Sequence, residues 1–263
     1  MTPSSPPPEQ GPLLSVIVVT FNHEDTLAQL LTSWTSQASG QDLEVLVVDN
    51  ASTDRSVELS RDFPLTLLPQ EHNLGYTAGA NLGAAAASGR FLLFCNPDIF
   101  LPDPATPARV LDFLSTDPPE ALWYAAQLDA LGAEREVFQP FPWFPQLCLR
   151  RFGLGTWGSN AGWLEGSFLL LRRNTFRSLG GFDERFVQFG EDLDFCYRAA
   201  AAGLSPQRLH GLTVIHRAPT TTEAKRRLVW ENRRLFYSLH GHHWHAHLAR
   251  LILATLRRLP RAK

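Results

Sequence analysis

The stretch Phe91-Leu-Leu-Phe-Cys-Asn-Pro-Asp98 decides the fold. Five apolar residues are followed by an amide, a proline and a carboxylate. An apolar run without polar alternation reads as a strand buried on both faces of a parallel sheet. Proline has no N–H for a central ladder, so the strand stops near Asn96. Asp98 then stands just past the carboxyl end of the strand, where open α/β sheets place ligands. An ordinary strand-to-loop transition explains the same segment equally well, so the flanking sequence has to decide.

Upstream, Leu13 to Thr20 is a β-branched run and the first strand. In the Phe21-Asn-His-Glu-Asp segment that follows, Asn22 either caps the next helix or joins Thr20 at a site. Leu27, Leu30, Leu31 and Trp34 recur at helical spacing, giving a helix to about Gln37. Leu43 to Asp49 is the second strand, running into the polar segment Asp49-Asn-Ala-Ser-Thr-Asp54. A carboxylate there suits a ribose or base; an Asx turn or helix cap is the alternative. Ser52 or Thr53 starts a short helix, and Leu65 to Leu68 is the third strand. Gly75, Gly79 and Gly83 follow at four-residue steps and match neither a lysine-type phosphate loop nor the dinucleotide fingerprint. They read as close helix packing or close ligand approach; packing explains Asn73 and Asn81 less well. Four strand-plus-helix units before residue 115 indicate a doubly wound α/β fold. Right-handed crossovers bring the strand ends to one edge, where Asp49, Asn73 and Asp98 converge.

Downstream, Ala121 to Leu128 is a strand or part-helix. Phe138-Gln-Pro-Phe-Pro-Trp-Phe-Pro145 is an aromatic loop, either an acceptor wall or packing, and Gly153 to Gly158 is a candidate lid. Trp163-Leu-Glu-Gly leads into a strand ending near Arg173, and Asn174 or Thr175 caps the helix after it. Glu191-Asp-Leu-Asp194 opens a helix closed by Gly203. A helix dipole favours acids at its start, but three in four residues exceed what capping needs. Leu212 to His216 is a short strand ending in histidine. A carboxylate plus a histidine suits a divalent cation such as manganese, though a lone strand-end histidine is more often structural. Thr220-x-x-Glu223 matches a capping box and opens a basic amphipathic helix to about His240. A His-rich segment, His240 to His247, and a further apolar helix with Arg250, Arg257 and Arg258 complete the chain. These helices pack on the body with some contact to an anionic membrane.

The 263 residues are 44% hydrophobic, enough for one large or two small domains, and the net charge of -2 gives no sign of a nucleic-acid partner. Charge is uneven: from Glu223 onward ten Lys/Arg face two Asp/Glu, a net of +8, leaving about -10 for the rest. Cys95, Cys148 and Cys196 lack metal spacing or a disulfide framework; Cys95 and Cys196 sit in apolar contexts as buried thiols, which fits a reducing compartment. Residues 1–12 lack the features of a signal peptide and are Pro/Ser-rich, hence a disordered lead. No run reaches the roughly 18 to 20 apolar residues that span a bilayer. The expected location is cytoplasmic, with peripheral contact at the inner membrane face left open.

Six segments in fixed order carry a resemblance: Ser15 to Asn22, Val47 to Asp54, Asn73 to Gly83, Asn96-Pro-Asp98, Gly180 to Phe186 and Glu191 to Asp194. The chain resembles family 2 nucleotide-sugar glycosyltransferases of the GT-A fold, in a rhamnosyltransferase-like bacterial subgroup, over roughly residues 13 to 240. The resemblance implies a Rossmann-like, mostly parallel central sheet flanked by helices, with a C-terminal helical extension. It implies a donor-binding half at 13–115, an acceptor-binding and catalytic half at 116–221, and a basic extension at 222–263. Asp49 would bind the base or ribose, with Thr20, Phe21 and Asn22 lining the base pocket. Asn73, Gly79 and Asn81 would border the donor. Asn96 to Asp98 replaces the family's Asp-x-Asp motif, so Asp98 would be the main ligand of Mn²⁺ or Mg²⁺, with His216 completing the site. Asp192 would be the general base, and Trp163, Glu165, Gly166 and Glu191 would meet the acceptor. His216-Arg-Ala-Pro departs from the family's Gly/Ser-containing pattern, and Arg217 would neutralise phosphate instead.

The implied reaction is inverting transfer from a UDP- or dTDP-sugar to a hydroxyl of a glycan, glycolipid or other acceptor in cell-surface polysaccharide synthesis, the expected partner being a glycan or lipid-linked acceptor. The cation would stabilise the departing diphosphate, and Asp192 would take the acceptor proton. A homodimer is also an expectation. The alternatives are a non-catalytic sugar- or nucleotide-binding homologue, against which Asp98 and Asp192 argue, and a nucleotidyltransferase, whose basic glycine-rich loop is not supplied by Phe21 to Asp25.

Overall fold

A computed structural model describes residues 11–36, 42–142, 162–217 and 222–241. The first half alternates as expected: β1 (Leu14–Thr20), α1 (Glu24–Thr35), β2 (Leu43–Asp49), α2 (Ser56–Ser60), β3 (Thr66–Pro69), α3 (Tyr76–Ala86), β4 (Phe91–Cys95), β5 (Ile99–Phe100) and α4 (Thr106–Ser115). It continues with β6 (Leu122–Leu128), β7 (Glu134–Arg135), β8 (Phe138–Pro140), β9 (Gly162–Leu164), β10 (Phe168–Arg172), α5 (Arg173–Ser178), α6 (Glu191–Ala201), β11 (Pro206–His216) and α7 (Glu223–Leu239). The main sheet runs β3-β2-β1-β4-β10-β6-β11-β5, with β7 also paired to β6; β8 and β9 form a separate ribbon. β3, β2, β1 and β4 are mutually parallel, as are β6 and β11, while β10 runs antiparallel between the two groups. This is the mostly parallel, helix-flanked sheet with a C-terminal helix that the sequence predicts.

Strand alternation sorts the core into two layers. On one face Val16 and Val18 of β1, Val45 and Val47 of β2, and Leu93 of β4 pack with Leu27, Leu30, Leu31 and Trp34 of α1 and Val110 and Leu114 of α4. On the other, Ile17, Val19, Leu46, Val48, Leu92 and Phe94 meet Ala80 and Ala84 of α3 and a cluster of Phe176, Phe182, Phe186 and Phe195. The small residues of α3 serve this layer. A Cβ on Gly83 would lie 2.5 Å from Ile17 Cγ2, and one on Gly79 would lie 2.9 Å from Val19 Cγ1.

Several local expectations change. Ala121 to Leu128 resolves as strand β6 rather than helix. β11 begins at Pro206, well before Leu212; its first half carries exposed Gln207, Arg208 and His210, which hide it from a hydrophobic pattern. The cap of α7 is Thr222, whose hydroxyl accepts from the Lys225 amide at 3.2 Å; Thr220 lies outside the described residues. Asn22 does not cap α1. That helix start is held from the neighbouring loop, where Asp54 Oδ2 accepts from the Glu24 amide at 3.0 Å. Neither Asn174 nor Thr175 caps α5, whose cap position is Arg172.

α7 packs on the body through Asn232, Phe236 and Tyr237, and the Tyr237 hydroxyl donates to the Pro142 carbonyl. Phe141 of the aromatic loop is buried and meets Tyr197 edge-on at 5.6 Å, so this part of the loop is packing. Cys95 and Cys196 are free and buried; Cys148, Gly153 to Gly158 and residues 242–263 lie outside the described residues. No helix among the described residues is long and apolar enough to cross a membrane.

Candidate functional site

Because β1, β2 and β4 are parallel, their ends Thr20, Asp49 and Cys95 reach one edge, and Thr20 stands directly opposite Asp49. β10 is antiparallel to β4, with Phe168 opposite Cys95, so the Glu165-Gly166-Ser167 turn before β10 arrives at the same edge. The Asn96 amide donates to the Ser167 carbonyl at 3.0 Å, stitching the Asn96-Pro-Asp98 turn to it. The short β5 then pairs with the end of β11, placing His216 opposite Ile99. Two halves of the chain thus meet on one ledge.

The β1–α1 and β2–α2 loops are locked by reciprocal bonds. Ser52 Oγ accepts from the Asn22 amide, Ser56 Oγ from the His23 amide, Asn22 Oδ1 from the Thr53 amide and Glu24 Oε2 from the Arg55 amide. Asn22 takes a left-handed φ of 60° to do so, leaving the Phe21 ring exposed at the ledge. Asp49 Oδ2 accepts from the Ser52 amide at 2.9 Å, whereas among the described residues its buried Oδ1 has no partner, and neither has the buried Oδ1 of Asn50. Two orphaned buried acceptors side by side are costly unless a ligand donor meets them. Asn50 Nδ2 donates to the Gly75 carbonyl while Asn73 Oδ1 accepts the Gly75 amide, so both clasp the turn into α3. The Asn81 amide group is occupied by Phe182 and Glu184 and holds the loop before α6.

Asp98 is mostly buried. Burial is the largest single influence and would raise its carboxyl, but the interaction with His216, a backbone hydrogen bond and the charge of His23 together hold it below the usual range. His216 Nε2 lies 3.3 Å from Asp98 Oδ1, and Arg135 Nη1 lies 2.6 Å from His216 Nδ1. Arg135 Nη2 also donates to Glu165 Oε2 at 3.1 Å. Desolvation pushes Glu165 up in spite of Arg135. His23 lies near Asp98 as well; burial lowers its imidazole, opposed by the charges of Asp98 and Asp54. The Arg217 amide donates to the Asp98 carbonyl, but its guanidinium bonds Gln29 and lies 4.9 Å from the Phe100 ring centre.

Asp192 faces the same turn from the start of α6. Its Oδ2 accepts from the Gly166 amide at 3.1 Å and its Oδ1 from the Leu193 amide at 2.8 Å. Burial nevertheless pushes Asp192 up to about 6. Glu191 is buried beside it with Oε2 unpartnered among the described residues, and desolvation and then the Asp192 charge raise its carboxyl well above the ordinary range. A carboxylate poised near neutral pH beside the Glu165-Gly166 turn is equipped to accept a proton. Trp163 is half-buried on β9, opposite Gln139 of β8.

Among the described residues no group of three His, Cys, Asp or Glu side chains could hold a metal ion. Asp98 offers a suitable oxygen. His216 does not fit as a ligand in this arrangement, because a guanidinium can only donate and therefore occupies the Nδ1 lone pair, leaving the proton on Nε2. Arg135, His23 and Asn50 went unnoticed in the sequence. Asn50 adjoins Asp49 and His23 adjoins Asn22, so proximity to a motif was an available signal; Arg135 carries none.

A sequence profile described as Glycosyl transferase family 2 matches residues 15–180. The chain is 31% identical over 241 residues, 80% of this chain and 78% of the relative, to the N-acetylglucosaminyl-diphospho-decaprenol L-rhamnosyltransferase of Mycobacterium tuberculosis. It is also 31% identical over 209 residues to the O-antigen biosynthesis protein RfbC of Myxococcus xanthus, covering 73% of this chain but 16% of that one. Among solved structures, residues 1–349 of S. aureus TarS superpose with a TM-score of 0.61 at 22% identity, over 86% of this chain and 64% of that one. The mannosyltransferase PcManGT of Pyrobaculum calidifontis, solved with GDP-Man and Mn²⁺, superposes with a TM-score of 0.59 at 19% identity, over 98% of this chain and 79% of that one. At those identities the structures bear on the fold alone.

Proposed function

The chain belongs to glycosyl transferase family 2, and on that premise we propose that it is an inverting transferase moving a hexosyl or rhamnosyl group from a UDP- or dTDP-sugar to a hydroxyl of a lipid-linked glycan. The observation that carries the reading is Asp192, a carboxylate lifted to about 6 and fixed by two backbone amides beside the Glu165-Gly166 turn. In this reading the nucleoside rests on the ledge of Thr20, Phe21, Asn22, Asp49 and Asn50, where the unpartnered Oδ1 atoms receive its donor groups. Asn73, Gly79, Asn81, Asn96 and Asp98 border the rest of the donor. The acceptor enters over Trp163, Glu165, Gly166 and Glu191, and its hydroxyl proton passes to Asp192 as the oxygen attacks the anomeric carbon. Attack opposite the departing diphosphate inverts that centre in one step, so no covalent sugar–enzyme bond forms. Asp98 would hold a divalent cation, which would supply charge stabilisation to the departing diphosphate. The similarity to an enzyme named for rhamnosyl transfer to a decaprenyl-diphosphate sugar supports a lipid-linked acceptor. The basic face of α7 supports peripheral contact with an anionic membrane surface, where such an acceptor resides.

The test is a panel of UDP-, dTDP- and GDP-sugars with polyprenyl-diphosphate-sugar acceptors, reading released nucleoside diphosphate and the anomeric configuration of the product. Turnover with inversion, abolished in Asp192→Asn, is the expected result. Retention of configuration, or undiminished turnover in that variant, overturns the mechanism. Nucleotide-sugar binding without turnover across the panel favours the non-catalytic reading.

A further inference from the structure

Four side chains from four distant places in the chain form one line of polar contacts: Asp98 after β4, His216 at the end of β11, Arg135 on β7 and Glu165 before β10. β6 makes this line. It pairs with β7 through Gln127 opposite Arg135 and with β11 through Gln127 opposite Val214, so the arginine and the histidine approach from its two sides. The chemistry of the line has a direction. A guanidinium has no acceptor, so the 2.6 Å contact makes His216 Nδ1 the acceptor and places the ring proton on Nε2. Nε2 in turn lies 3.3 Å from Asp98 Oδ1, so its proton is turned toward a carboxylate. A histidine that binds a metal ion through Nε2 has the opposite polarity: Nδ1 carries the proton and donates it to a carboxylate or carbonyl, while the Nε2 lone pair faces the metal. The second branch of the guanidinium is held by Glu165 at 3.1 Å, and both side chains are largely covered, which restrains Arg135 from swinging away.

We propose that Arg135 is a positioning residue that locks His216 in the Nε2–H tautomer as hydrogen-bond donor to Asp98 and thereby withholds it from a divalent cation. Any cation drawn to the ledge then has Asp98 as its protein ligand, without His216. Arg135 also joins the donor side of the ledge, at Asp98, to the Glu165 turn on the acceptor side. The inference rests on the proposed function only in taking Asp98 as the seat of a cation. Its readouts need no turnover, so the two can fail separately.

Two measurements test it. In long-range ¹H–¹⁵N NMR spectra of the full chain, with His216 assigned by its loss in His216→Gln, wild type is expected to show a protonated Nε2 and an unprotonated Nδ1. Arg135→Leu is expected to lose that single tautomer. Mn²⁺ binding alone, followed by EPR, is expected to differ by less than about threefold between wild type and His216→Gln, and to strengthen on the order of tenfold in Arg135→Leu. A wild-type Nδ1–H tautomer, an unchanged tautomer in Arg135→Leu, or a larger loss of Mn²⁺ affinity in His216→Gln overturns the proposal. Should Arg135→Leu fail to fold, the comparison of wild type with His216→Gln decides by itself.

Discussion

Asp192 Oδ2 accepts a hydrogen bond from the Gly166 amide at 3.1 Å, which fixes the first turn of α6 against the turn that precedes β10. The same bond aims the carboxylate at the ledge and stabilises its charge. Burial works against that charge and prevails, leaving Asp192 at about 6. An acid at that position is ionised at neutral pH yet basic enough to take a hydroxyl proton in the transition state.

The first prediction is a pH profile. With Asp192 as the base, kcat/KM falls below about pH 6 as the Asp192–Glu191 pair takes up protons, measured as nucleoside diphosphate release. Asp192→Asn lowers the rate by roughly 10²- to 10⁴-fold, the usual worth of a general base.

Stability moves the other way. Asp192 and Glu191 both have folded-state values above their ordinary range, so the folded chain holds more protons than the unfolded one from the ordinary carboxylate range up through about pH 6. Stability therefore falls as pH rises through that window. Asp192→Asn removes one buried charge and is expected to stabilise the fold at neutral pH by roughly 1–3 kcal/mol, with the gain shrinking toward the acid end of the window. Urea titrations of wild type and variant across the window read it directly; an equal gain at every pH would contradict the assigned cause.

Asp49 provides a separate test of donor binding. Its Oδ2 is used by Ser52 while its buried Oδ1 has no partner among the described residues. Asp49→Asn can keep the Ser52 bond but turns one acceptor into a donor. The expected outcome is a UDP or dTDP affinity weaker by about 10- to 100-fold in calorimetry, corresponding to loss of one buried hydrogen bond at 1.4 kcal/mol per tenfold.

Asp54 ties two helix starts, accepting from the Glu24 amide at 3.0 Å and the Ser56 amide at 2.9 Å. Removing both acceptors in Asp54→Ala is expected to cost about 1–2 kcal/mol, as for other lost helix caps. Asp54→Asn, which retains an acceptor, is expected to recover part of that loss in the same denaturant titration.

Gly83→Ala sets helix propensity against packing. An exposed helical position would gain about 1 kcal/mol from the change. Here the new Cβ would lie 2.5 Å from Ile17 Cγ2, in the layer between α3 and β1. Overpacking of about 1–3 kcal/mol wins, and a lower melting temperature for Gly83→Ala reports it.

The sequence by itself determined the layered sheet. Continuous apolar runs in Leu14 to Thr20 and Leu43 to Asp49, period-3.6 burial in α1, and the polar residues ending the strands are local patterns, and local patterns are what a linear chain displays. The polar start of β11 was hidden because an exposed, half-polar strand lacks the apolar contrast that such reading requires. The motif residues Asp49, Asp98, Asp192 and His216 were visible as residue types at strand and helix ends. Their relations were decided only in three dimensions. Arg135 and His216 are 81 residues apart and meet because both flank β6. A hydrogen bond depends on where two atoms stand and on which one carries the proton. No spacing in the chain records that the partner of His216 is a donor, so only the packed sheet shows why this histidine faces its aspartate with a proton and not with a lone pair.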